Sequence, residues 1–161
     1  MGKSYTVGAW MLLDWLRDPQ FTDIKVVSIT SGHGKNNIFG HLKQLHTMSC
    51  VPLPGISNES RIYVPGWDKA GIELVAIQKG ENGSGRLQGM HPGPRFGAPH
   101  WKFGGLTRKR ILIDEAEEVP LGIWADLDNF FTSRADALYD PHLICVGAAN
   151  PRDKSSLFGQ R

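Results

Sequence analysis

Three short stretches of the 161-residue chain carry residue types suited to phosphate chemistry. Gly2-Lys3-Ser4 precedes an amphipathic run, as the last three residues of a G-x-x-x-x-G-K-[ST] phosphate loop do. In such a loop, backbone amides at a helix N-terminus cradle phosphate oxygens, the lysine meets the β- and γ-phosphates, and the hydroxyl holds Mg²⁺. Ile111-Leu112-Ile113 leads into Asp114-Glu115, an apolar strand ending in two acids. Carboxylates at the end of a buried strand must face a cleft or bear a heavy desolvation cost. There Asp114 can hold a hydrated Mg²⁺, and Glu115 can polarise a water for attack on a γ-phosphate. The third stretch, Gly147-Ala148-Ala149-Asn150-Pro151, puts the amide of Asn150 at another strand end, where it can sense a γ-phosphate. Each stretch also has a plain reading: a bare terminus, a turn cap and an Asn-Pro turn.

The elements that must position these residues follow from apolar spacing. Tyr5 to Arg17 predicts a helix, with Val7, Trp10, Met11, Leu13, Trp15 and Leu16 mostly at three- and four-residue steps and Asp18-Pro19 ending it. Ile24 to Thr30 has the β-branched density of a buried strand. Ser31-Gly32-His33-Gly34 then turns into one second helix, with Ile38, Phe39, Leu42 and Leu45 on its apolar face. Arg61 to Val64 and Ile72 to Ile77 predict two more strands. Residues 79–107 hold eight glycines and three prolines without apolar periodicity, which reads as an inserted loop or lid. Arg110 to Glu115 is the acid-bearing strand. A helix opening at Pro120 and carrying Leu121, Ile123, Trp124, Leu127, Phe130 and Phe131 follows, and Leu143 to Val146 is the last strand. Strands alternating with helices predict an α/β fold with a mainly parallel sheet flanked by helices.

Composition bounds the reading. The length suits one domain. No apolar run approaches the roughly 20 residues that a membrane helix needs, and the first residues lack the build of a signal peptide. A net charge of +2 does not by itself imply nucleic-acid binding. Cys50 and Cys145 read as structural thiols in a reduced compartment. The six histidines lack metal-ligand spacing. Trp10, Trp15 and Trp124 read as core, whereas Trp67 and Trp101 fall in loops. Arg86, Arg95, Lys102, Arg108, Lys109 and Arg110 gather as either a solvated surface or one that touches DNA phosphates, with Arg86 the first candidate for an arginine reaching a neighbouring subunit's nucleotide.

Taken in order, Gly2-Lys3-Ser4-Tyr5-Thr6, Ser28-Ile29-Thr30-Ser31-Gly32, Arg86-Leu87-Gln88-Gly89-Met90-His91-Pro92, Ile111 to Pro120 and Gly147-Ala148-Ala149-Asn150-Pro151 make a chain that resembles the large subunits of phage terminases. These ATPase motors package viral DNA into a procapsid, and the resemblance runs over nearly the whole chain. It implies a P-loop NTPase fold of the RecA-like type with ATP and Mg²⁺ as ligands. Gly2, Lys3 and Ser4 would bind phosphate, Ser4 and Asp114 the metal, Glu115 would be the catalytic carboxylate, and Asn150 would lie in the coupling motif. It also implies double-stranded DNA, a terminase small subunit and a portal protein as partners, a homo-oligomeric ring, and a host bacterial cytoplasm as the setting. Two parts of the family pattern are not found: the strand and first half of the phosphate loop, and the nuclease domain. The expectation is therefore a partial ATPase domain over 1–161, with an apolar strand left unpaired along one edge. Another RecA-like helicase or translocase, or a remnant without turnover, stands as the alternative.

Overall fold

The computed structural model of the chain describes residues 2–67, 70–77, 108–116, 119, 123, 124, 127 and 141–146. Helix α1 (Lys3–Arg17) leads into strand β1 (Thr22–Ser28), then helices α2 (Ser31–Asn36) and α3 (Ile38–Thr47). Strands β2 (Ile56–Ser57), β3 (Arg61–Tyr63), β4 (Gly71–Ala76), β5 (Arg108–Asp114) and β6 (Pro141–Val146) complete the described elements. All six strands form one sheet in the order β2-β3-β4-β1-β5-β6. The four strands β4, β1, β5 and β6 run parallel, and β2 and β3 add an antiparallel margin. The α/β class and the mostly parallel sheet are as expected.

The parallel strands are apolar on both faces because both are covered. Ile24, Val26, Ile62, Ile72, Leu74 and Leu112 point to one side, where they pack with Met11, Leu12 and Trp15 of α1 and with Ile38, Phe39 and Leu42 of α3. Val27, Ile111 and Ile113 point to the other, against Ile77, Ala116, Val119, Ile123 and Leu127. Ile123, Trp124 and Leu127 are helical, within the helix expected after Pro120. Strand β5 is paired on both sides, by β1 and β6. Among the described residues the sheet has its edges at β2 and β6.

Several sequence expectations are corrected. Helix α1 starts at Lys3, so Lys3 and Ser4 form its first turn instead of preceding it. Its buried stripe is Gly8, Met11, Leu12 and Trp15, which leaves Trp10 and Leu13 exposed. The stripe is anchored by a glycine that hydrophobicity does not flag: a Cβ at Gly8 would lie 3.3 Å from the Ile38 carbonyl oxygen, so α1 and α3 touch there through backbone. The single second helix is two. Thr30 leaves the strand to cap α2, its hydroxyl accepting from the His33 amide at 3.1 Å. The chain then breaks at Asn37 (φ −94°, ψ −123°) before α3 begins. The hairpin strand β2 had no sequence signal. It is set by Asn58, whose side-chain oxygen accepts from the amides of Ser60 and Arg61 at 3.0 and 2.7 Å. The loop expected over 79–107 lies outside the described residues. No helix among the described residues is long and apolar enough to cross a membrane.

Candidate functional site

Ligands of parallel sheets bind beyond the carboxyl ends of the strands, where loops diverge. Strand β5 delivers Asp114 and Glu115 to that end, level with Val146 of β6 and one residue past Ile113, which pairs with Val27 of β1. Helix α1 returns to the same level. Its Asp14 accepts hydrogen bonds from Arg108 and Arg110 at the opposite, amino end of β5. From there α1 runs antiparallel to β1. Its 15 residues span about 22 Å, against about 23 Å for the seven residues of β1. The N-terminus with Gly2, Lys3 and Ser4 therefore stands at the carboxyl end of the sheet. Gly2 and Lys3 are exposed and Ser4 half-buried. Among the described residues no side chain caps this N-terminus, and no acid lies in its first turn. Its leading amides are thus left for an external acceptor, and the helix dipole favours an anion there.

The two acids have different surroundings. Asp114 is 5% exposed, and the Asn37 amide donates to its Oδ2 at 3.4 Å. Glu115 is half-exposed. In a regular strand consecutive side chains face opposite ways. Glu115 instead has φ 53°, the one positive φ of a non-glycine residue among the described residues. That left-handed turn, which strains any residue with a Cβ, carries its carboxylate to the same side as Asp114. There Glu115 Oε1 lies 2.8 Å from His33 Nε2. Asn37 Nδ2 stands 2.5 Å from the same ring nitrogen. One helical step of four residues, His33 to Asn37, thereby meets two adjacent carboxylates.

His33 and Asn37 escaped the sequence reading. The available signal was the run Ser28-Ile29-Thr30-Ser31-Gly32-His33, a strand ending in a polar, glycine-bearing turn at the edge where ligands bind. Asn150 and Arg86 lie outside the described residues.

The basic cluster is corrected where it is described. Arg110 is 2% exposed, and its Nε donates to Asp14 Oδ2 at 2.9 Å. Arg108 pairs with Asp14 at 2.5 Å, and Lys109 with Asp23 at 2.8 Å. These cations alternate along β5 and meet acids on both sheet faces, so they belong to a strand and not to a solvated loop. Cys50 is exposed and free, not a core thiol. No protein-family model matches the chain, and no curated protein is significantly similar to it.

Proposed function

We propose that the chain is the ATP-hydrolysing part of a DNA-packaging motor of the terminase large-subunit kind, using a P-loop fold to drive double-stranded DNA into a procapsid. The observation that supports this most is that α1, which bears Lys3 and Ser4 in its first turn, directs its N-terminus toward the end of the parallel sheet where β5 closes in Asp114-Glu115. Free amides and a lysine attract phosphate, and a buried acid beside a half-exposed one separates two roles for carboxylates.

The amides of α1 and the Lys3 ammonium bind and orient the phosphates of ATP. In this reading the Ser4 hydroxyl and the Asp114 carboxylate would hold a magnesium ion, which when bound would neutralise charge on the phosphate oxygens. Glu115 takes a hydrogen bond from the attacking water and turns its lone pair toward phosphorus. No covalent intermediate is required, because positioning and charge neutralisation lower the barrier. Asn150 passes the loss of the γ-phosphate to the DNA-gripping surface, and Arg86 reaches a neighbouring subunit's nucleotide. A ring of copies working with a small subunit and a portal protein in a bacterial host completes this reading.

The test is magnesium-dependent ATP binding and hydrolysis by the chain and three variants. Lys3→Ala should lose binding, Asp114→Asn should lose the magnesium dependence, and Glu115→Gln should bind ATP without turning it over. Failure of the wild-type chain to bind ATP would sink the reading.

A further inference from the structure

Resting on the hydrolytic reading of Asp114 and Glu115, we infer that His33 is a positioning residue for Glu115. It anchors one carboxylate oxygen and leaves the other to meet the attacking water. The contact is direct, His33 Nε2 to Glu115 Oε1 at 2.8 Å. Glu115 Oε2 has no hydrogen-bond partner among the described residues. A carboxylate held through one oxygen keeps a defined rotamer, and its second oxygen keeps the lone pairs that a water needs.

Two further observations assign the contact to positioning and not to stability. The side chains are 41% and 39% exposed, and a polar contact so open to water stabilises a fold very little. The backbone nonetheless adopts φ 53° at Glu115, and that turn is what brings the carboxylate within reach of α2. Strain retained for a contact of small energetic value points to a use for the contact.

The other end of the arrangement is equally constrained. The His33 amide is held by the Thr30 hydroxyl at 3.1 Å, so the α2 cap sets where the imidazole starts. Four residues on, the Asn37 amide reaches both the His33 ring at 2.5 Å and Asp114 at 3.4 Å. Asn37 donates to Asp114 beside the imidazole that meets Glu115, so the two carboxylates are gathered around one short segment of chain. Positioning partners of this kind carry about 10- to 100-fold in activity when removed.

The experiment is steady-state ATP hydrolysis by the whole chain, comparing wild type with His33→Ala, His33→Gln and Glu115→Gln. Both His33 variants keep the backbone amide that Thr30 caps, and circular dichroism checks that the fold is retained. His33→Ala should lower kcat about 10-fold or more while KM for ATP stays within about twofold, since the contact serves the water and not the nucleotide. His33→Gln, whose amide nitrogen sits near the Nε2 position, should recover most of kcat. Equal losses in the two variants, or a rise in KM with kcat intact, would overturn the inference. If Glu115→Gln abolishes turnover and His33→Ala does not lower it, the inference fails and the hydrolytic reading stands. If wild type does not turn over ATP, or Glu115→Gln leaves turnover intact, both fall.

Discussion

Replacing Asp14 with alanine removes the acid that joins α1 to β5. Asp14 Oδ1 accepts from Arg108 Nη2 at 2.5 Å and Oδ2 from Arg110 Nε at 2.9 Å, with the three side chains 12%, 17% and 2% exposed. Removing one member of a buried pair costs about 3–5 kcal/mol, because a charge stays out of water without its counter-ion. Here the stranded cations keep some partners. Arg110 Nη1 also donates to the Lys109 carbonyl at 3.0 Å, and Arg108 Nη1 to Thr22 Oγ1 at 3.4 Å. The lower end, about 3 kcal/mol, is therefore expected. For a chain of this size that lowers Tm by about 6–12 °C. Urea unfolding should show the loss as a lower midpoint at unchanged slope. The double variant Asp14→Ala/Arg110→Met should recover part of it, since an apolar side chain at the buried position leaves less charge to compensate. A loss below about 1 kcal/mol for Asp14→Ala would refute the reasoning and mean that the arginines find water instead.

Further outcomes follow from single contacts. A Cβ at Gly40 would overlap the Lys35 carbonyl oxygen, so Gly40→Ala should destabilise by about 2 kcal/mol despite the better helix propensity of alanine, and a variant as stable as wild type in urea would contradict this. Leu112 is fully buried in the centre of the sheet, and Leu112→Ala should cost about 3 kcal/mol by the same measurement. Burial opposes the Lys25 ammonium, but Asp23 and Glu73 outweigh it and raise its pKa above the usual 10.5. A raised folded-state pKa means that the pair's contribution is complete below the unfolded value and is lost as pH climbs through the folded one. Stability measured from pH 9 to 12 should therefore fall more in wild type than in Lys25→Met; parallel curves would exclude the effect.

The central strands were legible because a strand covered on both faces must be apolar at nearly every position, and Ile24 to Val27 and Ile111 to Ile113 are. The acid pair was legible because two carboxylates close an otherwise apolar run, although Asp114 is itself buried as the last residue of β5. Less could be read where contacts come from distant segments. Residues 108 to 110 are three consecutive cations in sequence, and nothing local shows that Asp14 and Asp23 lie opposite them on the two faces of the sheet. The division of α2 from α3 was equally hidden, since the apolar spacing of Ile38, Phe39, Leu42 and Leu45 marks a helix without marking its start.

By itself the sequence determined the α/β class, the strands that form the core, and the acid pair that closes one of them. Those properties depend on residue type and short spacing. Only the tertiary structure decided that Glu115 turns to the same side as Asp114 and meets His33 across 82 positions of chain. The reason is physical: the pleat of β5 would have sent consecutive side chains to opposite faces. It took a left-handed turn at Glu115, and a capped helix placed against the strand end, to bring both carboxylates to one site.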